Sequence, residues 1–536
     1  MPARERLTER RRGYQHNMGY REGVALVLAG AFGLALPGTA MAGLRFAPPV
    51  KLKGARDRSE PRIAITPDDR RWIITSGPAI VRGGAEWVYG SSDRGRHWKR
   101  TPADPPSGPQ PSFDLDIAAI RTGRLIAIEL DYAGISFYTS YSDDGGRHWT
   151  RSVGGAQSGD TDRPWLAVGP DDPTTHEPRV YLLYHNLGSG SAQHNMFVVT
   201  SRDGGATFDA PVPITDPLNS PQAYQDLQCA DSGGPSSLSV NPRTGRVYAV
   251  WGTRSAPFAG GCGASVFGPF EINVVAATRV WVATSPDNSM GSWRTVKVVD
   301  DTATNRIVGM QLSPATLDRK GNVYVTYPES RRAYPDYGGA AIKYIWSTPA
   351  LRRWSRPATV ARGGGVGNVL PHVLAGSPGK LDFVYWHGVS RGRNLKAAWF
   401  TTAAQTLNGR SAHPHVTRRR VSAIPTYTGT ASELMGACKQ DPLAGVENGF
   451  VCTRSPDVFG VALDRRCRLT IAWPTRDMNA YAADQGDKRY RIKGNKVGTF
   501  ASTQNGGTAL CGSHRKKKHR HHRHRHRCPD CEGRRR

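Results

Sequence analysis

The sequence predicts an all-β fold built from repeated four-stranded units. Three observations predict it: an excess of turn-forming residues, a recurring aspartate turn, and a strand pattern that returns seven times. The 536 residues include 60 Gly and 38 Pro, together about 18 % against a usual ~12 %. So many turns favour short strands over helices. Gly falls far short of one residue in three, which excludes a collagen-like chain. The 13 Trp, 19 Tyr and 14 Phe need a core, which excludes wholesale disorder.

The aspartate turn reads Ser/Thr-x-Asp-x-Gly-x-x-Trp/Phe. Its strict copies run from Ser91 through Asp93 and Gly95 to Trp98, from Ser142 through Asp144 and Gly146 to Trp149, and from Ser201 through Asp203 and Gly205 to Phe208. Looser copies start at Ser285 and Thr503, and Ser347 to Trp354 keeps only the ends. Each strict copy follows a strand-like run. The Asp carboxylate can accept backbone N–H groups a few residues on, Gly supplies positive φ, and the aromatic residue opens the return strand. This is a structural device and carries no chemistry.

Upstream of each turn stands a polar turn followed by a Val/Tyr/Trp-rich strand, beginning at Trp72, Leu125, Val180, Val247, Val323, Leu381 and Leu469. A further strand precedes each, at Arg62, Leu115, Trp165, Leu238, Met310, His372 and Val458. One unit is therefore strand, turn, strand, loop, strand, aspartate turn, strand. Repeated radially, such units form a β-propeller. Seven blades are expected, or six if a terminal unit is degenerate. The expected organisation is a signal peptide over residues 1–42, a linker over 43–59, one propeller over 60–512 and a disordered tail over 513–536.

The aspartate turn resembles the Asp-box, or BNR, repeat of the sialidase (neuraminidase) superfamily, and Asp162-Arg163-Pro164-Trp165 is similar to blade openers of secreted bacterial members. The resemblance covers roughly residues 60 to 512. It implies aspartate turns on the propeller periphery, away from the catalytic face. For activity it implies an arginine triad, a Tyr–Glu nucleophile pair and an Asp acid, as in an exo-α-sialidase. On these terms Arg62, Asp162, Arg163, Tyr427 and Glu433 are the catalytic candidates. Arg62 stands in Pro61-Arg62-Ile63-Ala64, which lacks the proline of the family's Arg-Ile-Pro and equally fits an ordinary blade-opening strand.

Ligands of propellers meet the mouth where the first strands begin. The residues placed there are Glu60 and Arg62, Asp114 and Asp116, Asp162 and Arg163, Gln225 and Asp226, Gln311, His372 and Asp457. Convergent carboxylates and Arg could clamp an acidic sugar and move its protons. Asp114, Asp116, Asp226, His372 and Asp457 are the ligand-binding candidates. No metal or other cofactor is expected.

Residues 24–36 form a 13-residue apolar run after Arg21, followed by Ala40-Met41-Ala42, the pattern of a secretory signal. Thirteen residues rise about 20 Å as a helix, short of the ~30 Å of a bilayer core. The eight Cys suit disulfides in an exported chain, and neighbour pairing would join 229–262, 438–452 and 467–511. Net charge is +28. The His/Arg/Lys-rich tail supplies much of it, but the body is basic too, which points to a glycan or another anionic cell-surface polymer as partner. Export disfavours nucleic acid as a biological partner. A monomer is expected. The competing reading is a non-catalytic propeller serving as an adhesion or interaction scaffold.

Overall fold

A computed structural model describes residues 43–512 except 56–58, 77–85, 107, 109–110, 132–135, 155–160, 187–193, 229–233, 254–275, 286–290, 311–313, 332–338, 391–396, 430–434, 441–449, 455–459 and 476–497. The chain is a seven-bladed β-propeller with four-stranded blades. In chain order the second strands are Arg71–Ser76, Leu125–Asp131, Pro178–Asn186, Val247–Thr253, Val323–Glu329, Leu381–Val389 and Leu469–Thr475. They coincide with the seven predicted Val/Tyr/Trp-rich runs. The first strands are Ser59–Ile65, Pro111–Ala119, Thr161–Asp171, Pro235–Val240, Ala315–Leu317, Asn368–Ala375 and Gly460–Leu463. Each first strand packs on the next, and the last packs on the first, so the ring is closed.

The apolar residues divide into one cluster for each gap between blades. Ile126 and Ile128 of blade 2 meet Val180, Leu182 and Tyr184 of blade 3, while Tyr181 and Leu183 turn to Val247, Ala249 and Trp251 of blade 4. Side chains alternate across a strand, so a second strand with a blade on each side must be apolar throughout. This is why these strands read as unbroken apolar runs. Trp251 and Trp386 are fully buried between blades.

The three strict aspartate turns join third to fourth strands in blades 1 to 3, and they are superimposable in their bonding. In the first, Asp93 Oδ1 accepts the N–H groups of Arg96 and His97 at 3.0 and 2.9 Å. Ser91 Oγ donates to Asp93 at 2.9 Å and accepts from Gly95 N at 2.8 Å. The Ser142–Asp144–Gly146 and Ser201–Asp203–Gly205 turns repeat these bonds within about 0.1 Å. The carboxylate thus reaches three and four residues on, and the serine is a second acceptor that the sequence reading did not identify. Partial burial works against the charge, but the bonds from His97 and Ser91 outweigh it and hold Asp93 down at about 2. Asp203 is likewise lowered against its own burial by the bonds from Thr207, Ser201 and Ala206. Asp203→Ala is expected to cost about 1–2 kcal/mol at pH 7. A lowered carboxylate contributes stability above its unfolded value near 3.9 and loses it as pH falls further. The difference from the unaltered protein in urea unfolding should therefore be full at pH 7 and shrink below about pH 4.

Four expectations need correction. Residues 43–59 are not a plain linker: Arg45–Phe46 and Val50–Lys51 pair with Gly498–Gly506, the third strand of blade 7. The N-terminal strand thereby completes the last blade. For the same reason the loose copy at Thr503 does not turn into a return strand, since that place is taken by Arg45 and Phe46. The apolar Met310 run does not open blade 5; Met310 pairs with Ala276, and the shorter Ala315–Leu317 takes the inner position. Gln225 and Asp226 do not open a strand either, for they lie on the helix Pro221–Gln228. Ser220 before Pro221 is a favourable helix start, a signal that the strand-seeking pattern passed over.

The predicted Cys467–Cys511 disulfide is present, with Cα atoms 5.3 Å apart. For the second guess, the backbone register sets Cys438 opposite Cys452. Cys229 and Cys262, residues 1–42, Glu433, Asp457, Gln311 and the tail lie outside the described residues. Among the described residues no helix is long and apolar enough to cross a membrane.

Candidate functional site

Strand direction sorts the molecule into two ends. First strands begin, second strands finish and third strands begin at one end, called here the mouth. The aspartate turns and the first-to-second-strand turns lie at the other. The predicted site residues and the structural turns are thus separated by the full length of the strands.

The first strands of blades 1, 3 and 6 share a bulge near their start. Glu60, Arg163 and Leu370 have φ of 44°, 54° and 51°, and the register slips between Ser59 and Arg62, Asp162 and Trp165, and Val369 and His372. Positive φ is unfavourable for these residue types. The bulge re-aims the flanking side chains in all three blades.

Arg62 follows the blade 1 bulge. Its guanidinium lies 3.9 Å from the ring centroid of Trp165 in blade 3, and its Nε donates to the Leu115 carbonyl in blade 2 at 3.3 Å. It is half-buried, and its Nη groups have no hydrogen-bond partner among the described residues. Its charge is felt by Asp116 and by His372 across the ring. Arg62 is therefore a cation near the start of a first strand, clamped by an aromatic face and a carbonyl, with no hydrogen bond to its forked end among the described residues.

Blade 3 adds a polar chain. Asp162 stands directly opposite His185 in the strand register, with its Oδ2 3.6 Å from His185 Nε2. His185 Nδ1 is 2.8 Å from His194 Nε2. Both rings are buried, while the Asp162 side chain is 24 % exposed. Burial first, and the neighbouring His185 second, push His194 down to about 3, so it is neutral at physiological pH. Arg163 Nε is 3.9 Å from Asp162. The two imidazoles share a hydrogen bond, while the carboxylate stands beyond hydrogen-bond reach of His185 and acts on it by charge alone. Sequence reasoning missed both histidines. Their signal is symmetry, since His185-Asn186 and His194-Asn195 flank the loop between the second and third strands of one blade.

Other candidates have structural duties. Asp116 is buried, and its two oxygens accept Ile117 N at 2.8 Å and Leu166 N of the next blade at 2.9 Å. Burial raises it despite Arg62 and these bonds. Asp226 is 1 % exposed and is held by Arg279 at 2.9 Å and by the Thr253 hydroxyl at 3.3 Å. His372 is buried, and burial, with Arg62 second, pushes it down to about 3. Tyr427 is 1 % exposed within the apolar cluster between blades 6 and 7, beside Trp386 and Trp399. Asp114 is half-buried at the start of blade 2. The structure thus sets Arg62 against Trp165 and Arg163 beside Asp162, near the starts of first strands, and places Tyr427 in the packing. Among the described residues no group of three or more His, Cys, Asp or Glu is arranged to hold a metal ion.

No protein-family model matches this chain, and no curated protein matches it. Solved structures do. A polysaccharide lyase, an ulvan lyase bound to -[GlcA(1-4)Rha3S]-, is similar at 10 % identity and TM-score 0.46, over 80 % of this chain and 94 % of that one. An α-L-arabinanase of Penicillium chrysogenum is similar at 13 % identity and TM-score 0.37, over 71 % and 98 % of the two chains. The NanB sialidase of Streptococcus pneumoniae is similar at 10 % identity and TM-score 0.36, over 86 % and 70 %. Similarity at this level carries neither a residue correspondence nor an activity to this chain.

Proposed function

We propose that this chain is an exported propeller of the Asp-box, sialidase-like kind that binds an acidic glycan at its mouth. The observation that carries the reading is Arg62. A guanidinium stacked on Trp165 with its Nη groups unsatisfied among the described residues presents a pre-oriented fork, which matches the carboxylate or sulfate of an acidic sugar. Arg163 and the Asp162–His185–His194 chain stand beside it. Export is supported by the signal pattern over residues 1–42 and by the Cys467–Cys511 bridge.

The competing reading, a scaffold without hydrolysis, draws on the structural duties of Asp116 and Asp226. We place binding first and hydrolysis second. A glycan array probed at 0.15 and 0.5 M NaCl tests the first: at least one acidic glycan should hold at the higher salt. Arg62→Gln should weaken that hit at least tenfold and leave the thermal midpoint within a few degrees. An empty array favours the scaffold. A fluorogenic sialoside beside neutral glycosides tests hydrolysis, and the absence of turnover leaves binding alone.

A further inference from the structure

Blade 5 carries a cavity of about 480 Å³, within the ~300–1,000 Å³ of small-ligand sites. Among the described residues its rim bears Arg306, Arg331, Lys343 and Arg362 against a single carboxylate, Glu329. Glu329 ends a second strand and Ala341 begins a third, so the cavity opens at the mouth end, off the axis. Lys343 and Arg306 meet Glu329 at 3.3 and 3.8 Å, and Arg306 also meets Asp301 at 3.1 Å. Arg331 and Arg362 are exposed and meet no carboxylate among the described residues. Gly339 and Gly363 are part of its lining. A Cβ on Gly363 would come within 2.2 Å of the Gly339 carbonyl oxygen, so the two backbone segments pack directly on each other.

The sequence that runs on from the cavity carries the same sign. Residues 341–430 contain thirteen Lys and Arg and one acid, Asp382. Asp382 is buried, 1 % exposed, and is held by the Gln405 side chain.

We propose that the blade 5 cavity takes an acidic group of the same glycan whose other acidic group is held at the mouth, which makes the ligand an extended polyanionic glycan. This rests on the reading of Arg62 above. Two cation stations on one end of the molecule suit a polymer with acids at intervals, whereas a single small acid needs only one. None of the described residues lining the cavity is aromatic, and the Trp165 face carries Arg62. The stacking platforms that single-stranded nucleic acid uses are therefore absent from both stations among the described residues.

The test uses the full chain and a chondroitin sulfate decasaccharide, titrated by calorimetry at several salt concentrations. Arg331→Ser with Arg362→Ser should weaken binding at least tenfold and flatten the salt dependence by about two charges' worth, by the logic of counterion release. Binding of free glucuronic acid should be unchanged in this variant and weakened in Arg62→Gln. Unchanged decasaccharide binding in the double serine variant overturns the proposal. If Arg62→Gln is still weakened then, the mouth reading survives; if neither variant differs, both fail. A single-stranded oligonucleotide of equal charge that binds as tightly, with the same dependence on Arg331 and Arg362, also overturns it. Both arginines are exposed, so a matching thermal midpoint shows that the variant is folded.

Discussion

Arg71→Met is expected to destabilise the ring by about 3–5 kcal/mol, the cost of removing one partner from a buried ion pair. Arg71 is fully buried at the seam between the first and last blades. Its Nη2 meets Asp464 of blade 7 at 3.1 Å and Asp69 at 3.7 Å, and its Nε donates to Thr470 Oγ1 at 3.3 Å. Burial depresses Arg71 below the usual arginine range, while Asp69 and Asp464 pull the other way. Removing the guanidinium would strand Asp464, whose side chain is 2 % exposed. Asp464 Oδ1 also accepts Arg466 N and Arg468 N at 2.9 Å, so one residue serves both the turn and the seam. Urea unfolding should show the loss, and Arg71→Met combined with Asp464→Asn should recover part of it. Additive losses in the double variant would mean that the two residues do not act as a pair. The N-terminal strand and the Cys467–Cys511 bridge both belong to blade 7, so the last blade is secured beyond the seam by two further devices.

Glu129→Gln is expected to stabilise the protein at neutral pH. Glu129 lies on the second strand of blade 2 and is 3 % exposed. Burial pushes it up to about 8; the bond from Gly108 N at 2.9 Å and the charge of Arg151 oppose this, and Asp131 adds to it. Its Oε2 is buried with no hydrogen-bond partner among the described residues. The sign follows from linkage. The folded carboxyl keeps its proton to about pH 8 while the unfolded one releases it near 4.5. The native state therefore binds more protons between these values, and stability falls as pH rises through them. Glutamine keeps an acceptor for Gly108 and titrates in neither state. The variant should gain about 2–3 kcal/mol at pH 7 and close to nothing at pH 4. A gap in unfolding free energy that stays constant from pH 4 to 8 would contradict the assignment.

Much of the fold was legible in the sequence because radial repetition writes the same constraints seven times. Second strands packed on both faces must be apolar without interruption, and turns that satisfy their own backbone need Ser, Asp and Gly at fixed offsets. What escaped was set by partners distant in sequence. Arg45 and Phe46 are two residues of strand with no pattern of their own, and only the unpaired edge of Gly498–Gly506 gives them a place. Ala315–Leu317 lost to the more apolar Met310 run because local propensity cannot see which segment reaches the axis. At the site, first-strand position did bring Arg62, Asp162 and Arg163 to the mouth. It did not reveal that Asp116 and Asp226 are spent on neighbouring blades, since a carboxylate's hydrogen-bond donors come from residues ~50 positions away. His185 and His194 were missed because they close second strands and open third ones, and only first strands had been searched.

The central claim is that the mouth receives an acidic sugar on Arg62. A crystal structure of the full chain with a bound acidic oligosaccharide tests it most directly. The account expects a carboxylate or sulfate oxygen within about 3 Å of an Arg62 Nη atom, as charge-assisted hydrogen bonds require, with Trp165 still beneath the guanidinium. An oligosaccharide seated on the aspartate-turn end, or at the mouth without contact to Arg62, would contradict it.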